Sequence, residues 1–129
     1  MRFLIDTHAW LWLQSDPERL PPSVLDMLED LGNDVFVSAA SAWEIAVKHQ
    51  SGRLRLPDPP LTYVPRRMVD SGCKPLSIEH AHALRAGQLP RHHRDPFDRV
   101  MIAQSQILDL PVVTRDPAFS LYDVDLLWA

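Results

Sequence analysis

The sequence predicts an α/β protein of three layers, with a central, mainly parallel sheet between two layers of helices. Two observations carry the prediction. Short runs such as Phe3-Leu4-Ile5 and Val35-Phe36-Val37 are apolar at consecutive positions, the mark of strands buried on both faces. These runs alternate with longer segments that carry helical spacing or helix punctuation. That order suits a parallel sheet covered on both sides.

The first strand, Phe3 to Ile5, ends in Asp6. Thr7 is placed to cap a helix over about His8 to Gln14, which Asp16-Pro17 breaks. A second helix is expected from Pro22 to about Leu31, with proline tolerated in its first turn and Gly32-Asn33 as its stop. Val35 to Ser38 forms the second strand. Ala39, Ala42, Trp43, Ala46 and Val47 then fall at i, i+3, i+4, i+7 and i+8, the spacing of one buried helix face. Gly52 ends that helix. Leu56 to Pro60 is proline-rich and reads as a surface connection. A helix over about Leu61 to Ser71 is expected despite Pro65. A short strand at Pro75 to Ser77 and a helix over Ile78 to Gly87 follow. Asp95-Pro96 opens a helix from about Phe97 to Leu108. Pro111 to Thr114 is a strand leading to Asp116, and Val124 to Trp128 a last short one.

With 129 residues, one domain spanning residues 1–129 is expected, long enough to bury a core without disulfides. No apolar run approaches the ~20 residues of a membrane helix. The start, Met1 to Asp6, lacks the character of a signal peptide. Cys73 is the single cysteine, so a reduced, cytoplasmic setting is the default expectation. The net charge of −4 argues weakly against nucleic acid as a partner. Its distribution argues less so: Arg91, His92, His93, Arg94 and Arg99 gather around Asp95 to Asp98.

The chemistry lies in four acids. Asp6 stands at the carboxyl end of the first strand, and Glu44 early in the helix after the second. Asp98 lies in the first turn of its helix, and Asp116 just beyond the strand ending at Thr114. Ligands of open parallel sheets bind beyond the carboxyl ends of the strands, so the four are expected on one rim. Carboxylates so close raise one another's pKa unless a cation joins them. A donor set of oxygens without cysteine points to Mg²⁺, with Mn²⁺ as substitute, rather than Zn²⁺. Each acid alone has a plainer reading. Asp6 and Asp95 suit helix caps, Asp116-Pro117 a turn, and Glu44 a solvated face paired with Lys48.

Four segments carry a resemblance: Leu4-Ile5-Asp6-Thr7-His8, Ser38 to Ile45 with Trp43-Glu44, His93 to Arg99 followed by Ile102-Ala103-Gln104, and Val113-Thr114-Arg115-Asp116. In this order and spacing the sequence resembles PIN-domain proteins, specifically the VapC toxins of VapBC toxin–antitoxin pairs. The resemblance implies a PIN-like α/β/α sandwich and a metal-dependent ribonuclease. It implies Asp6 and Asp98 as principal metal ligands, with Glu44 and Asp116 as further catalytic acids. Thr7 and Thr114 match small hydroxyl positions that orient carboxylates or water, and Asp95 is structural or supporting. It also implies an RNA substrate, a cognate VapB-type antitoxin and a homodimer.

Arg94, Arg99 and Arg115 are candidate contacts to RNA phosphate, although Arg99 and Arg115 would equally serve to pair with a carboxylate. His92 and His93 read as an exposed pair on a basic loop, His8 as facing away from the acids, and Trp10 and Trp12 as core. Two other α/β phosphoryl-transfer families fit poorly. A haloacid-dehalogenase phosphatase wants a second Asp where His8 stands, and a receiver domain wants a paired acidic start. A catalytically silent binding module of the same fold is the remaining alternative.

Overall fold

The computed structural model describes residues 1–129. Five strands form one sheet in the order β3-β2-β1-β4-β5, and every pairing is parallel. The strands are β1 (Arg2–Ile5), β2 (Asp34–Ser38), β3 (Lys74–Leu76), β4 (Val112–Thr114) and β5 (Leu126–Trp128). The helices are α1 (Thr7–Ser15), α2 (Pro22–Glu29), α3 (Ala39–Gln50), α4 (Pro60–Ser71), α5 (His80–Gln88) and α6 (Pro96–Leu108). Two 3-10 turns not expected from the sequence, Pro17–Arg19 and Pro117–Leu121, open on prolines after Asp16 and Asp116.

Alternation along the strands divides the core in two. Phe3, Ile5, Val35, Val37 and Val113 face one side and pack with Trp10, Val24, Leu28, Tyr63 and Val64, from α1, α2 and α4. Leu4 and Val112 face the other and pack with Ala86, Met101, Ile102 and Phe119. The expected three-layer sandwich is therefore present, with both sheet faces covered. The chain builds outward from β1 to β2 and β3, then crosses to add β4 and β5 on the other side. The strand order reverses between β1 and β4, which opens a crevice at their carboxyl ends.

The elements lie where the sequence reading expects them, with ends shifted by a residue or two. Two local readings need correction. Thr7 does not cap α1; the Asp6 side chain does, accepting from the Ala9 N–H at 2.8 Å. Thr7 is already helical, and its hydroxyl points elsewhere. The buried face of α3 is also rotated. It consists of Ala40, Ser41, Glu44 and Ile45, whereas Trp43 is 56% exposed and Val47 lies at the surface. Apolar spacing selects the wrong face because the inward side of α3 carries a polar residue with buried partners. Pro65 is accommodated within α4, which closes on Gly72 in the left-handed conformation (φ 69°).

Candidate active site

Asp6 leaves β1 at the switch crevice and is almost wholly buried. Its Oδ1 accepts from the Ala9 N–H, and its Oδ2 accepts a short hydrogen bond from the Thr114 hydroxyl at the end of β4. Thr114 thus ties the two strands that flank the crevice. The same hydroxyl accepts from the Asp116 N–H at 3.0 Å, and Asp116 Oδ1 in turn accepts from the Ala118 N–H at 2.9 Å. Asp116 is exposed at the mouth.

Glu44 is 2% exposed and is not the solvated residue that its spacing to Lys48 suggests. Oε1 accepts from the Thr7 hydroxyl at 2.6 Å, while Oε2 pairs closely with the Lys48 ammonium. The Ser41 hydroxyl lies 2.9 Å from the same Thr7 oxygen. Glu44 is therefore a compensated buried charge, held by a hydroxyl from α1 and a cation one turn along α3.

Asp98 differs. It sits in the first turn of α6, whose N-cap is Asp95: the Asp95 carboxylate accepts from the Phe97 and Asp98 N–H groups at 2.9 and 3.1 Å. Burial and then the charges of Asp95, Glu44, Asp116 and Asp6 push the Asp98 carboxyl up to about 8. Burial is also the main cause that raises the Asp6 carboxyl, with Thr114, Ala9 and His8 pulling the other way. The charges of Asp95, Glu44, Asp116 and Asp6 all reach Asp98, and that of Glu44 also reaches Asp6. His8, expected to face away, lies close enough to Asp6 to favour its ionised form.

The side chain that touches the Asp98 carboxylate is His93. Its Nε2 stands 3.3 Å from Oδ2, and its Nδ1 is 2.7 Å from the Tyr122 hydroxyl. His93 is half-buried, not an exposed loop residue. The sequence carried no signal for Tyr122, which arrives from beyond the Pro117–Leu121 turn.

The three arginines part company. Arg99 does not face a carboxylate or open solvent. Its guanidinium donates to the carbonyls of Pro90, Ala86 and Leu89 at 2.8, 2.9 and 3.0 Å, and to the Tyr122 hydroxyl at 3.2 Å. It clamps the end of α5 to α6 and has few donors left for substrate. Arg115 lies over the Trp12 ring, 5.3 Å from its centre, with Arg19 at 5.6 Å. Trp12 is thus half-buried under cations, while Trp10 is core. Arg94 remains exposed.

As the side chains stand, no three histidine, cysteine or acidic residues are gathered closely enough to grip a metal ion. Mg²⁺ does not require such a cage, because it keeps several waters and takes one or two protein carboxylates directly. The donor chemistry here fits that habit. Asp6 and Asp98 are buried oxygens in a field of like charge, with no thiol among their neighbours. Each Asp6 oxygen accepts a single hydrogen bond, which leaves a lone pair for a cation.

The model of the PIN domain family matches residues 3–125. The chain belongs to the PIN domain family. Within this PIN domain, a segment of 56 residues is 48% identical to Ribonuclease VapC16 of Mycobacterium tuberculosis (strain ATCC 25618 / H37Rv), covering 43% of this chain and 40% of that protein. The match thus spans about two-fifths of that relative's length. Solved structures share the PIN architecture over nearly the whole chain. VapBC2 from Rickettsia felis, bound to a DNA fragment from its promoter, matches with a TM-score of 0.74 and 11% identity, covering 99% of this chain and 98% of that one. FitAcB from Neisseria gonorrhoeae matches with a TM-score of 0.60 and 22% identity, covering 98% and 96%. At those identities the likeness establishes the fold.

Proposed function

We propose that this PIN domain, a single domain over residues 1–129, is a Mg²⁺-dependent endoribonuclease that acts as the toxin of a toxin–antitoxin pair in the cytoplasm. The observation that carries the nuclease reading is Asp98, buried among four other carboxylates at the switch crevice and held up at about 8. Asp6, Asp95 and Asp116 also cap helix or turn starts, but gathering their charges around Asp98 is costly without a cation. The stretch of likeness to a ribonuclease of the VapC type supports the same reading.

Asp6 and Asp98 would hold the metal, with Asp116 assisting from the mouth and Mn²⁺ able to replace Mg²⁺. When bound, the metal makes water a stronger nucleophile and stabilises charge on the leaving oxygen. The chain's own residues set the stage. Thr114 fixes the Asp6 carboxylate and, through the Asp116 N–H, the start of the turn that carries Asp116. Thr7 and Lys48 hold Glu44 in one orientation, so that it contributes negative potential without moving. His93 and Asp95 position Asp98. In-line attack of water on an RNA phosphodiester would leave 5′-phosphate and 3′-hydroxyl ends.

Several structural neighbours are toxin–antitoxin complexes. By analogy, a VapB-type antitoxin would inhibit this chain, and the chain would act as a homodimer. No helix is long and apolar enough to cross a membrane.

The test is cleavage of total RNA by antitoxin-free protein, with Mg²⁺ and with EDTA, beside Asp98→Asn. Cutting that needs both the metal and Asp98 supports the proposal. Cutting that survives either change, or products ending in 2′,3′-cyclic phosphate, would sink it.

A further inference from the structure

Beside the acid crevice the molecule has a second, oppositely charged cavity. Its volume is about 460 Å³, and it is lined by Gly87, Arg91, His93, Arg94 and Arg99. No apolar side chain and no carboxylate contributes to its wall. In a chain with net charge −4, three guanidiniums and an imidazole around one hollow are a local reversal of sign.

The arginines divide by what they touch. Arg99 is anchored on the carbonyls of Pro90, Ala86 and Leu89 and forms a fixed wall. Arg91 and Arg94 are exposed and make neither a side-chain hydrogen bond nor an ion pair. Their donors are free. One wall of the cavity is His93, whose Nε2 reaches Asp98. A group in this cavity therefore lies one side chain away from the acid centre.

Free guanidinium forks suit phosphate oxygens, which they bind through paired N–H donors. An all-polar lining disfavours an apolar peptide or a base. We propose that this cavity is a subsite for a backbone phosphate of the RNA chain, flanking the phosphate that is cut, with Arg91 and Arg94 as its donors. The subsite deepens the nuclease reading and rests on it. It explains how an acidic protein holds a polyanion: the crevice itself repels RNA, and the neighbouring cavity anchors the strand in register with it. Arg115, parked on Trp12, and Arg99, bound to carbonyls, leave that task to Arg91 and Arg94.

The experiment uses the full chain and a fluorescein-labelled single-stranded 12-nucleotide RNA of mixed sequence. Binding is followed by anisotropy in EDTA, so that no cutting intervenes, across a salt series. Arg91→Ala with Arg94→Ala is compared with Arg55→Ala with Arg66→Ala, two arginines outside the cavity. Both pairs alter exposed side chains with no ion pair, so folding is preserved and is checked by thermal melting. The cavity pair should lose affinity about tenfold, and the slope of log affinity against log salt should flatten by about 0.7 for every phosphate no longer neutralised. The control pair should retain both. In cleavage with Mg²⁺ the loss should fall on KM.

Equal losses from the two pairs would reveal diffuse attraction and overturn the subsite. So would a loss confined to kcat. A third arm adds inorganic phosphate: displacement of RNA from the unaltered protein, but not from the cavity variant, supports the subsite. Phosphate binding that depends on Arg91 and Arg94 while RNA binding does not would assign the cavity to a free anion and overturn it. RNA binding that needs the two arginines without any Asp98-dependent cutting would sink the nuclease reading alone. Cutting that needs Asp98 but ignores Arg91 and Arg94 would sink only the subsite.

Discussion

Glu44 and Asp98 are both buried acids at the same crevice, yet the chain treats them in opposite ways. Glu44 is surrounded by compensation: a hydroxyl from Thr7 and the ammonium of Lys48. Asp98 meets His93 at 3.3 Å and is otherwise faced by Asp95, Glu44, Asp116 and Asp6. One carboxylate is fixed as part of the scaffold. The other is left electrostatically unfinished. The difference teaches that a buried acid is not by itself evidence for a cation, and that the proposal of one rests on Asp98 and not on Glu44.

The sharpest test of the contrast is Asp98→Asn. It removes the uncompensated charge and should reduce Mg²⁺-dependent cleavage by about a thousandfold or more. The metal-free protein should at the same time become more heat-stable at pH 8.5. Glu44→Gln should show no such gain, because it leaves Lys48 without its partner. Equal gains in stability from both would erase the distinction.

A pH series follows from the same charge. In the unfolded chain Asp98 ionises near the ordinary value of about 4. In the folded, metal-free chain it holds its proton until about 8. Between those values unfolding releases the proton, so stability falls as pH rises and levels off above about 8. The melting temperature in EDTA should drop by more than ~5 °C across that window. Mg²⁺ should restore more of it at pH 8.5 than at pH 5. A flat profile in EDTA would show that Asp98 is not under strain.

Lys48→Met probes the compensated side. It strands the Glu44 carboxylate in the core and should cost about 2 kcal/mol, a figure reduced for the partial exposure of Lys48. Adding Glu44→Gln should recover most of that loss, read by denaturant unfolding. Absence of recovery would mean that Lys48 matters for packing instead of charge.

The smallest effect is expected from Tyr122→Phe. The change removes one hydroxyl shared by His93 and Arg99 and should cost about 1 kcal/mol of stability. Mn²⁺ affinity, followed by calorimetry, should weaken as His93 loses its support, while Lys48→Met should leave it nearly unaltered. If both variants shift Mn²⁺ binding alike, the two halves of the site are not separable.

Much of this arrangement is legible in the order of residues. Asp6, Asp98 and Asp116 follow strand ends or open helices, and parallel-sheet geometry sends those positions to one rim. Asp95 before Pro96 announces its own cap. Other features are not legible, for identifiable reasons. Apolar spacing misjudges the α3 face because it weighs Trp43 and Val47 by side-chain type. The fold instead turns Ser41 and Glu44 inward, where Thr7 waits 34 and 37 residues away in sequence. His93 gives no sign of its role because its partners, Tyr122 and Asp98, come from different elements. Arg99, whose sequence position suits a phosphate contact or a carboxylate partner equally, is instead held by carbonyls at the end of α5.

The sequence alone therefore determined the architecture and the placement of the acids at strand ends and helix starts. Local rules govern both: continuous apolar runs for strands buried on both faces, capping and proline punctuation, and the placement of acids at strand ends. The tertiary structure decided which charges are satisfied. Whether a carboxylate has a hydroxyl, an ammonium or only other carboxylates beside it depends on side chains brought together across the sheet. Coulomb energies at such distances outweigh local propensities. It is the packing of α1, α3 and α6 around one crevice, and not the identity of any one residue, that gave Glu44 its hydroxyl and ammonium partners and left Asp98 facing mainly other carboxylates.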